Sequence, residues 1–202
     1  MKHYHRSTLG VVLAIFLACG LLAPGVSASN VFERFYDKEE IVNREAVSKL
    51  TVMGVIQGTD AGYFNPTGPV TRAEMAKMIS TVMNPNQDIG VQFSKKEAGL
   101  TDVQGHWAAG YINYCCRLGI IAGRGDGRFD PDASVTGTEA AKMLLVAAGY
   151  DPDRKKFTGQ DWEVYVSDMA DALGLYSGFT KSTSDPLNRD DAALLIYNAL
   201  MG

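Results

Sequence analysis

One glycine-containing segment occurs three times in this chain, and that repetition constrains the fold more than any other feature. The copies are MGVIQG at 53–58, LGIIAG at 118–123 and LGLYSG at 173–178, at intervals of 65 and then 55 residues. A regular period of this size is typical of tandem structural units that stack against their neighbours. We therefore interpret residues 29–202 as three units of roughly 58 residues each.

Each unit is predicted to begin with an amphipathic helix that ends at the first glycine of the segment. A glycine at this place can adopt the left-handed conformation that commonly terminates a helix. The apolar residues before it recur at i, i+4 and i+8, on one face of a helix. They are Val42, Ala46 and Leu50 in the first unit, Trp107, Tyr111 and Cys115 in the second, and Trp162, Val166 and Ala170 in the third.

A second helix is predicted in each unit, where a capping residue is followed three positions later by an acid. In such a pair the two side chains satisfy backbone N–H groups at the start of the helix. A proline precedes each of these helices, at Pro66, Pro131 and Pro186, with the same two intervals as the glycines. The capping pairs are Thr71 with Glu74, Thr136 with Glu139, and Asn188 with Asp191.

Two short helices bury too little apolar surface to fold alone, so the three units must share one core. We expect a mainly α fold, a pseudo-threefold helical bundle with short extended segments. The units are predicted at 29–84, 100–150 and 151–202 and form one domain, and the polar segment 85–99 is expected to be a surface linker.

Residues 1–28 have the features of an export signal. Lys2 and Arg6 give a basic start, Thr8 to Leu22 is an apolar run, and Val26-Ser27-Ala28 fits the small-residue pattern of a cleavage site. The apolar run is shorter than the ~20 residues that span a bilayer. Cleavage after Ala28 is expected, with an uncleaved anchor or a lipid-modified Cys19 as the alternatives.

Charge and cysteine content argue against two classes of function. The chain has 19 basic and 23 acidic side chains, without the basic excess that is typical of nucleic-acid binding. Outside the export signal the cysteines are Cys115 and Cys116, and a bridge between sequence neighbours would strain the backbone. Two adjacent cysteines without a further ligand make a weak metal site. We expect no nucleic-acid partner, no metal and no other cofactor.

The second unit resembles the S-layer homology (SLH) repeat, and the resemblance extends over residues 33–202. It implies a three-pronged, non-catalytic bundle that attaches exported proteins to the bacterial cell wall or S-layer, peripheral to the cell wall and not embedded in the membrane. The ligand implied is a secondary cell-wall polysaccharide, often ending in a pyruvylated amino sugar that carries a carboxylate. The matching segments are LTDV at 100–103, HWA at 106–108, GIIAG at 119–123, DGRFDP at 126–131 and VT at 135–136, with TRAE at 71–74 in the first unit.

Arg72 is the leading candidate for contact with an anionic sugar. A cation in the first turn lies at the positive end of the helix dipole, and no capping role requires it there. A guanidinium beside free backbone N–H groups can hold a carboxylate at two points. Arg189 has the same place in the third unit, whereas Gly137 replaces it in the second, whose groove is expected to bind weakly or not at all.

Four further side chains are candidates for carbohydrate binding. Asp37 and Asp102 precede the first helices of their units, where they either cap a helix or hydrogen-bond sugar hydroxyls; Phe157 stands at this position in the third unit. Trp107 and Trp162 are interpreted as core residues, because aromatic residues at helical spacing usually pack. The family resemblance implies that they also border the groove.

Two rival functions fit the sequence less well. A glycan hydrolase would need a pair of carboxylates, and none stands out among the 23 acids. His106 is the only histidine outside the export signal, so a Ser-His or multi-His zinc site cannot be built. An exported calcium-binding scaffold would use the loop that begins at Asp126, but Arg128 and Gly137 stand where that loop needs an oxygen ligand and Glu.

Overall fold

The computed structural model describes residues 28–95 and 98–202, so the predicted export signal lies outside the described residues except for its last position. Within these ranges the fold is mainly helical, as predicted, and β pairing is limited to isolated bridges. No helix within them is long and apolar enough to cross a bilayer. Two 3-10 helices, Ala28–Arg34 and Lys38–Glu40, precede α1 (Arg44–Val52), α2 (Arg72–Met83), α3 (Ile89–Gln92), α4 (Ala109–Arg117), α5 (Gly137–Ala147), α6 (Trp162–Ala172) and α7 (Arg189–Met201).

The first helix of each unit ends at the predicted glycine. Gly54, Gly119 and Gly174 follow α1, α4 and α6 with φ of 72°, 71° and 70°, in the left-handed region. The reversed chain then bonds back to the helix, as where the N–H of Val55 donates to the carbonyl of Leu50 at 2.9 Å. A terminating glycine acts within one turn of its helix, and the structure confirms the predicted helix ends.

Helices from neighbouring units pack in pairs around a pseudo-threefold axis. The first unit contributes α1 and α2, the second α4 and α5, and the third α6 and α7. The second helix of each unit packs on the first helix of the next: α2 on α4, α5 on α6, and α7 on α1, which closes the ring. Near the axis α5 also contacts α2 and α7. Each lobe therefore combines helices from two units, which explains why no unit has a core of its own.

A closed ring of three backbone hydrogen bonds lies where the units meet. Val135 donates to the carbonyl of Val70 at 3.0 Å, Leu187 donates to Val135 at 2.9 Å, and Val70 donates to Leu187 at 2.9 Å. All three side chains are buried. One residue from each unit thus takes the same place in the ring, just before the start of its second helix.

Pro186 does not correspond to Pro66 and Pro131, as the equal intervals predicted. The loop before α7 is shorter than the other two, so that Pro186 takes the place two residues before the helix cap that Pro69 and Ser134 take in their units. The bridges that establish this alignment are Pro69–Asn188, Ser134–Thr71 and Pro186–Thr136.

The predicted apolar faces pack in the core, except at the first position of the first and second units, and Tyr111 is partly buried there. Val42 and Trp107 are 82% and 58% exposed, so the prediction that they share the buried face is wrong. The reason is that α1 and α4 begin only at Arg44 and Ala109, which leaves both side chains outside the helix. Trp162 is the first residue of α6 and is partly buried against the core. The core positions confirmed are Ala46, Leu50, Cys115, Val166 and Ala170.

The segment predicted as a surface linker contains a short helix that packs on the second unit. Ile89 of α3 is buried, and Asp88 caps the helix by accepting the N–H of Val91 at 3.0 Å. The backbones of α3 and α4 meet at Gly90 and Gly110, where a Cβ atom built on Gly110 would overlap the carbonyl group of Gly90. Glycine is therefore required at this contact.

Candidate binding grooves between the units

The start of each second helix packs against the loop of the following unit. In α2, the N–H of Arg72 donates to the carbonyl of Ala133, and that of Ala73 donates to Pro131, both at 2.9 Å. In α7 the first two N–H groups donate in the same way to the loop of the first unit. These helix-terminal N–H groups, expected to be free for a ligand, are instead satisfied by the protein.

Capping boxes form in α2 and α5 as predicted, and α7 has half of one. In α2, Thr71 accepts the N–H of Glu74 at 3.1 Å, and the Glu74 carboxylate accepts the N–H of Thr71 at 2.8 Å. In α7, Asn188 accepts the N–H of Asp191 at 2.7 Å, but the Asp191 carboxylate binds Lys181 at 2.6 Å. The α5 box is formed by Thr136 and Glu139.

The side chain of Arg72 is buried in the interface between the first and second units, with 4% exposure. Its Nε donates to the carbonyl of Phe129 at 2.9 Å, and its Nη1 donates to Oε1 of Glu139 at 3.0 Å. The guanidinium lies 4.6 Å from the centre of the Phe129 ring. Burial lowers the pKa of Arg72, and the Glu139 carboxylate opposes that change. Contrary to the expectation from the sequence, Arg72 has a clear structural role.

Arg124 completes this ion pair and was missed in the sequence. Its Nη1 lies 2.7 Å from Oε1 of Glu139, and its Nε lies 3.4 Å from Oδ2 of Asp130. Asp130 in turn pairs with Arg128 at 2.6 Å. The alternating charges of the loop RGDGRFD at 124–130 were the only signal available. The result is a groove whose cations are already matched by acids of the protein.

Arg189 has a different environment between the third and first units. Its Nε donates to the carbonyl of Phe64 and its Nη2 to the carbonyl of Gln57, each at 2.8 Å. Its guanidinium lies 5.1 Å from the centre of the Phe64 ring, and burial lowers the pKa of Arg189. No acidic side chain within the described ranges lies close enough to form an ion pair with it. The cation is partly buried and bound to neutral partners.

A side chain at Gly137 would crowd the third groove, which lies between the second and third units. A Cβ atom on Gly137 would lie 3.0 Å from both Cα and the carbonyl oxygen of Thr183. The N–H of Thr138 donates to that same carbonyl at 2.8 Å, so the short third loop is held against α5. The unit that has glycine in place of the arginine is therefore also the one whose interface is closed by the loop of the next unit.

Asp37 and Asp102 form hydrogen bonds with the loops that contact Arg189 and Arg72. The Asp37 carboxylate accepts the N–H groups of Phe64 at 2.8 Å and of Asn65 at 2.6 Å, and it makes no capping hydrogen bond. Asp102 bonds the corresponding two groups of its own loop at 2.8 Å each. Burial alone would raise the pKa of Asp102, but the backbone N–H groups together lower it. Both carboxylates thus accept hydrogen bonds from backbone N–H groups of the protein.

The third unit has Phe157 in place of these aspartates. The side chain of Phe157 is fully buried, as are those of Phe64 and Phe129 in the other two loops. The third loop, at 180–185, contains no phenylalanine. Each unit therefore buries a phenylalanine ring from its loop or from the aspartate position, the latter in the third unit; the first unit also buries Phe32 and Phe35.

Trp107 presents its ring to solvent beside the loop of the second unit. The indole lies 5.5 Å from the ring of His106, whose Nε2 is 3.2 Å from Oδ1 of Asp132. His106 thereby connects the exposed indole to the loop against which α2 packs. Trp162 is covered differently, because the ammonium of Lys142 lies 4.6 Å from its ring centre.

The two cysteines of the described residues are free thiols. Cys115 is buried, where desolvation raises the pKa of its thiol to about 12, and its Sγ lies 3.2 Å from the hydroxyl of Ser80. Burial also raises the pKa of Cys116, to about 11. A thiol with such a pKa is protonated at neutral pH and is a poor nucleophile.

Comparison with known families identifies two segments. Residues 34–76 and 99–141 each match the S-layer homology domain. The first match contains α1 and the start of α2, and the second contains α4 and the start of α5. Both matches therefore include a glycine-terminated helix, the loop fastened by Asp37 or Asp102, and a capping box.

Three relatives are similar over most of this chain. A cell surface protein of Thermoanaerobacter kivui is 28% identical over 96% of the chain, and a surface layer protein of Brevibacillus choshinensis is 31% identical over 75%. An endoglucanase of a Bacillus species is 29% identical over 72%. The chain spans only 24%, 13% and 15% of the lengths of these relatives. With residues 34–76 and 99–141, this chain carries S-layer homology sequence in its first two units.

Proposed function

We propose that this chain is an exported, non-catalytic module of three SLH repeats that anchors to the bacterial cell wall by binding a secondary cell-wall polysaccharide. The ligand end is an acidic sugar, such as a pyruvylated one. One observation carries the proposal: the Arg189 guanidinium is partly buried, and no acid of the described residues pairs with it.

Arg189 supplies the recognition of the acidic group. Arginine has five N–H donors, and two of these are bound to the carbonyls of Phe64 and Gln57. The remaining donors are available to a carboxylate, and charge-assisted bonds of this type are stronger than neutral ones. The carboxylates of Glu74 and Asp37 act on this cation only from beyond ion-pair distance, so an anionic ligand that contacts it directly is a natural partner.

Arg72 contributes less to binding than Arg189. Its charge is already compensated by Glu139 at 3.0 Å, and its side chain is 4% exposed. A ligand carboxylate would have to displace a protein carboxylate that Arg124 also holds. Trp107, exposed beside the same interface, is a second contact there, while Asp37 and Asp102 shape the grooves by holding their loops. Trp162 has a smaller part, because Lys142 covers its ring.

The third unit is proposed as a third SLH repeat, although family matching covers only the first two. Its helices close the ring between the other units, its Leu187 takes part in the same cyclic hydrogen bonds, and its Arg189 occupies the place of Arg72. The short loop and the replacement of the aspartate by Phe157 are the departures that weaken the sequence match.

The names of the relatives support an anchoring role. An endoglucanase and proteins of the cell surface share a segment similar to this chain, which occupies a small part of each. A segment common to proteins with different named functions is best explained as an attachment module. The protein is proposed to lie at the cell surface, and no cargo or partner protein is assigned.

A sedimentation assay with purified cell walls tests the function. The protein should sediment with native walls and stay in solution after the polysaccharide has been chemically removed. Equal binding to both preparations would contradict a polysaccharide ligand. Release of reducing sugar from the walls would contradict a non-catalytic module.

Calorimetry with polysaccharide fragments tests the site. Arg189→Ala should lower the affinity for fragments with the acidic group about 30- to 100-fold, as expected for the loss of a two-point charged contact. Arg189→Lys should recover little, because an ammonium lacks the planar fork. Arg117→Ala, an exposed cation at the end of α4, is the matched control and should bind normally. Unchanged affinity of Arg189→Ala would refute the assignment.

A further inference from the structure

Arg72 and Arg189 lie in two grooves that match in their backbone contacts. We call them the Arg72 groove, between the first and second units, and the Arg189 groove, between the third and first. In each groove Nε donates to the carbonyl of the loop phenylalanine, Phe129 at 2.9 Å or Phe64 at 2.8 Å. Nη2 donates to a second loop carbonyl, at 3.4 Å and 2.8 Å respectively. The two guanidinium groups therefore differ at the remaining nitrogen, Nη1.

A protein carboxylate binds Nη1 in the Arg72 groove but not in the Arg189 groove. Nη1 of Arg72 donates to Oε1 of Glu139 at 3.0 Å. Glu74 has the same place in α2 that Glu139 has in α5, and each caps its own helix through Oε2. Burial lowers the pKa of Arg189 and the Glu74 carboxylate opposes that change, but the two side chains form no ion pair in the part of the chain that the structure describes.

Two loop positions account for this difference. Thr59 and Arg124 are equivalent, because each follows the terminal glycine of a first helix by five residues and each donates its N–H to the carbonyl four residues further on. Asn65 and Asp130 are also equivalent, with left-handed φ of 59° and 56°. Nη1 of Arg124 lies 2.7 Å from Oε1 of Glu139, and its Nε lies 3.4 Å from Asp130. The Arg189 groove thus has neutral residues at both positions where the Arg72 groove has charged ones.

We propose that position 59 determines whether the Arg189 groove accepts an external carboxylate: Thr59 leaves Glu74 at its helix cap, so that Nη1 of Arg189 stays available to the acidic sugar. This inference rests on the proposed function and names a residue that selects the binding groove. In the other groove, the arginine at the equivalent position holds Glu139 against Arg72. Charge-assisted bonds from two guanidinium groups are strong, so an external anion would have to displace a firmly held carboxylate there.

Calorimetry with acidic fragments of the wall polysaccharide tests this inference on Thr59→Arg. Thr59 is exposed, so the loop has room for the larger side chain. The new guanidinium should hold Glu74 against Arg189 and lower the affinity about 5- to 10-fold, although it adds a positive charge beside an anion site. Unchanged or higher affinity would overturn the inference. Gln92→Arg, which adds the same charge at the exposed end of α3, is the matched control and should bind like wild type.

Glu74→Gln extends the test to a double-mutant cycle. The glutamine amide can still cap α2, but it cannot form an ion pair with the new arginine. Glu74→Gln alone should bind at least as tightly as wild type, and in this background Thr59→Arg should no longer lower the affinity. An equal loss in both backgrounds would overturn the inference, because the new arginine would then act without Glu74. Melting temperatures confirm that each variant is folded.

The same measurements separate this inference from the proposed function. Wild-type affinity in Thr59→Arg, together with defective binding by Arg189→Ala, would overturn the role of position 59 and leave the proposed function intact. Failure of the wild-type protein to bind any acidic fragment would instead overturn the proposed function.

Discussion

Glu139 binds Arg72 with one carboxylate oxygen and caps its own helix with the other. Oε1 lies 3.0 Å from Nη1 of Arg72, and Oε2 lies 3.1 Å from the backbone nitrogen of Thr136. The capping box therefore holds the carboxylate in place for an ion pair that crosses from the second unit to the first. The sequence predicts only that Glu139 caps its own helix, whereas in the structure Glu139 also joins the second unit to the first.

This relationship predicts that Arg72→Ala is destabilising. The change leaves the Glu139 carboxylate without its buried partner and removes the bond to the carbonyl of Phe129, so the free energy of unfolding should fall by about 2–4 kcal/mol. Urea denaturation at neutral pH measures it. Arg124→Ala, which removes the half-exposed partner of the same carboxylate, should cost less than about 1 kcal/mol. A variant of Arg72 as stable as wild type would contradict the structural role described.

Asp102 is predicted to stabilise the protein through the loop and not through a helix cap. Asp102→Ala leaves the N–H groups of Phe129 and Asp130 without their acceptor, which should cost about 1–3 kcal/mol. Asp126→Ala, in the same loop but exposed, is the control and should have a smaller effect. Thermal unfolding compares the two variants. Equal melting temperatures for Asp102→Ala and wild type would show that the loop does not depend on this carboxylate.

The pH dependence of the free energy of unfolding should reveal the raised pKa of the buried Asp190. Burial raises its pKa, and the bonds from the backbone and side chain of Asn43 oppose that rise. Because the folded pKa lies above the unfolded value, the stabilising contribution of its protonation is fully present below about pH 4 and is lost as pH rises through the folded pKa. The stability of wild type relative to Asp190→Asn should therefore increase as pH falls from 7 toward 4.

Asp102→Asn provides the opposite case for the same titration. The pKa of Asp102 is lowered, so its contribution is present above the unfolded value and is lost as pH falls through the folded pKa. The stability of wild type relative to Asp102→Asn should decrease on acidification. Urea denaturation of the three proteins at several pH values measures both slopes. Slopes of the same sign for the two variants would refute the assignment.

The sequence predicted the features that depend on neighbouring residues. Gly54 ends α1, and Thr71 with Glu74 begins α2, because a left-handed glycine and a capping box act within one helical turn. The buried faces followed from periodicity in the same way. Trp107 shows the limit of that argument, because the periodicity began two residues before the helix did.

The contacts between units were not predictable from local pattern. Arg72 meets Glu139 only because α2 packs on the second unit, and nothing in a single sequence indicates which loop faces which helix. The same holds for the free N–H groups expected beside the arginine, which the loop of the next unit occupies. The misaligned Pro186 arose because a shortened loop shifted the interval by a few residues.

The last prediction concerns Gly137→Arg, which on the sequence alone would restore a missing binding arginine. The structure predicts instead that this change destabilises the protein by about 1–3 kcal/mol, since the backbone of Thr183 lies 3.0 Å from the new Cβ atom. It should add no affinity for acidic fragments, because the short third loop closes the groove in which the side chain would lie. Gly137→Ala is the matched control, with a smaller loss from the Cβ atom alone. Denaturation and calorimetry test both variants, and a stable Gly137→Arg protein with an additional binding site would show that the third groove opens more easily than the contact between α5 and Thr183 implies.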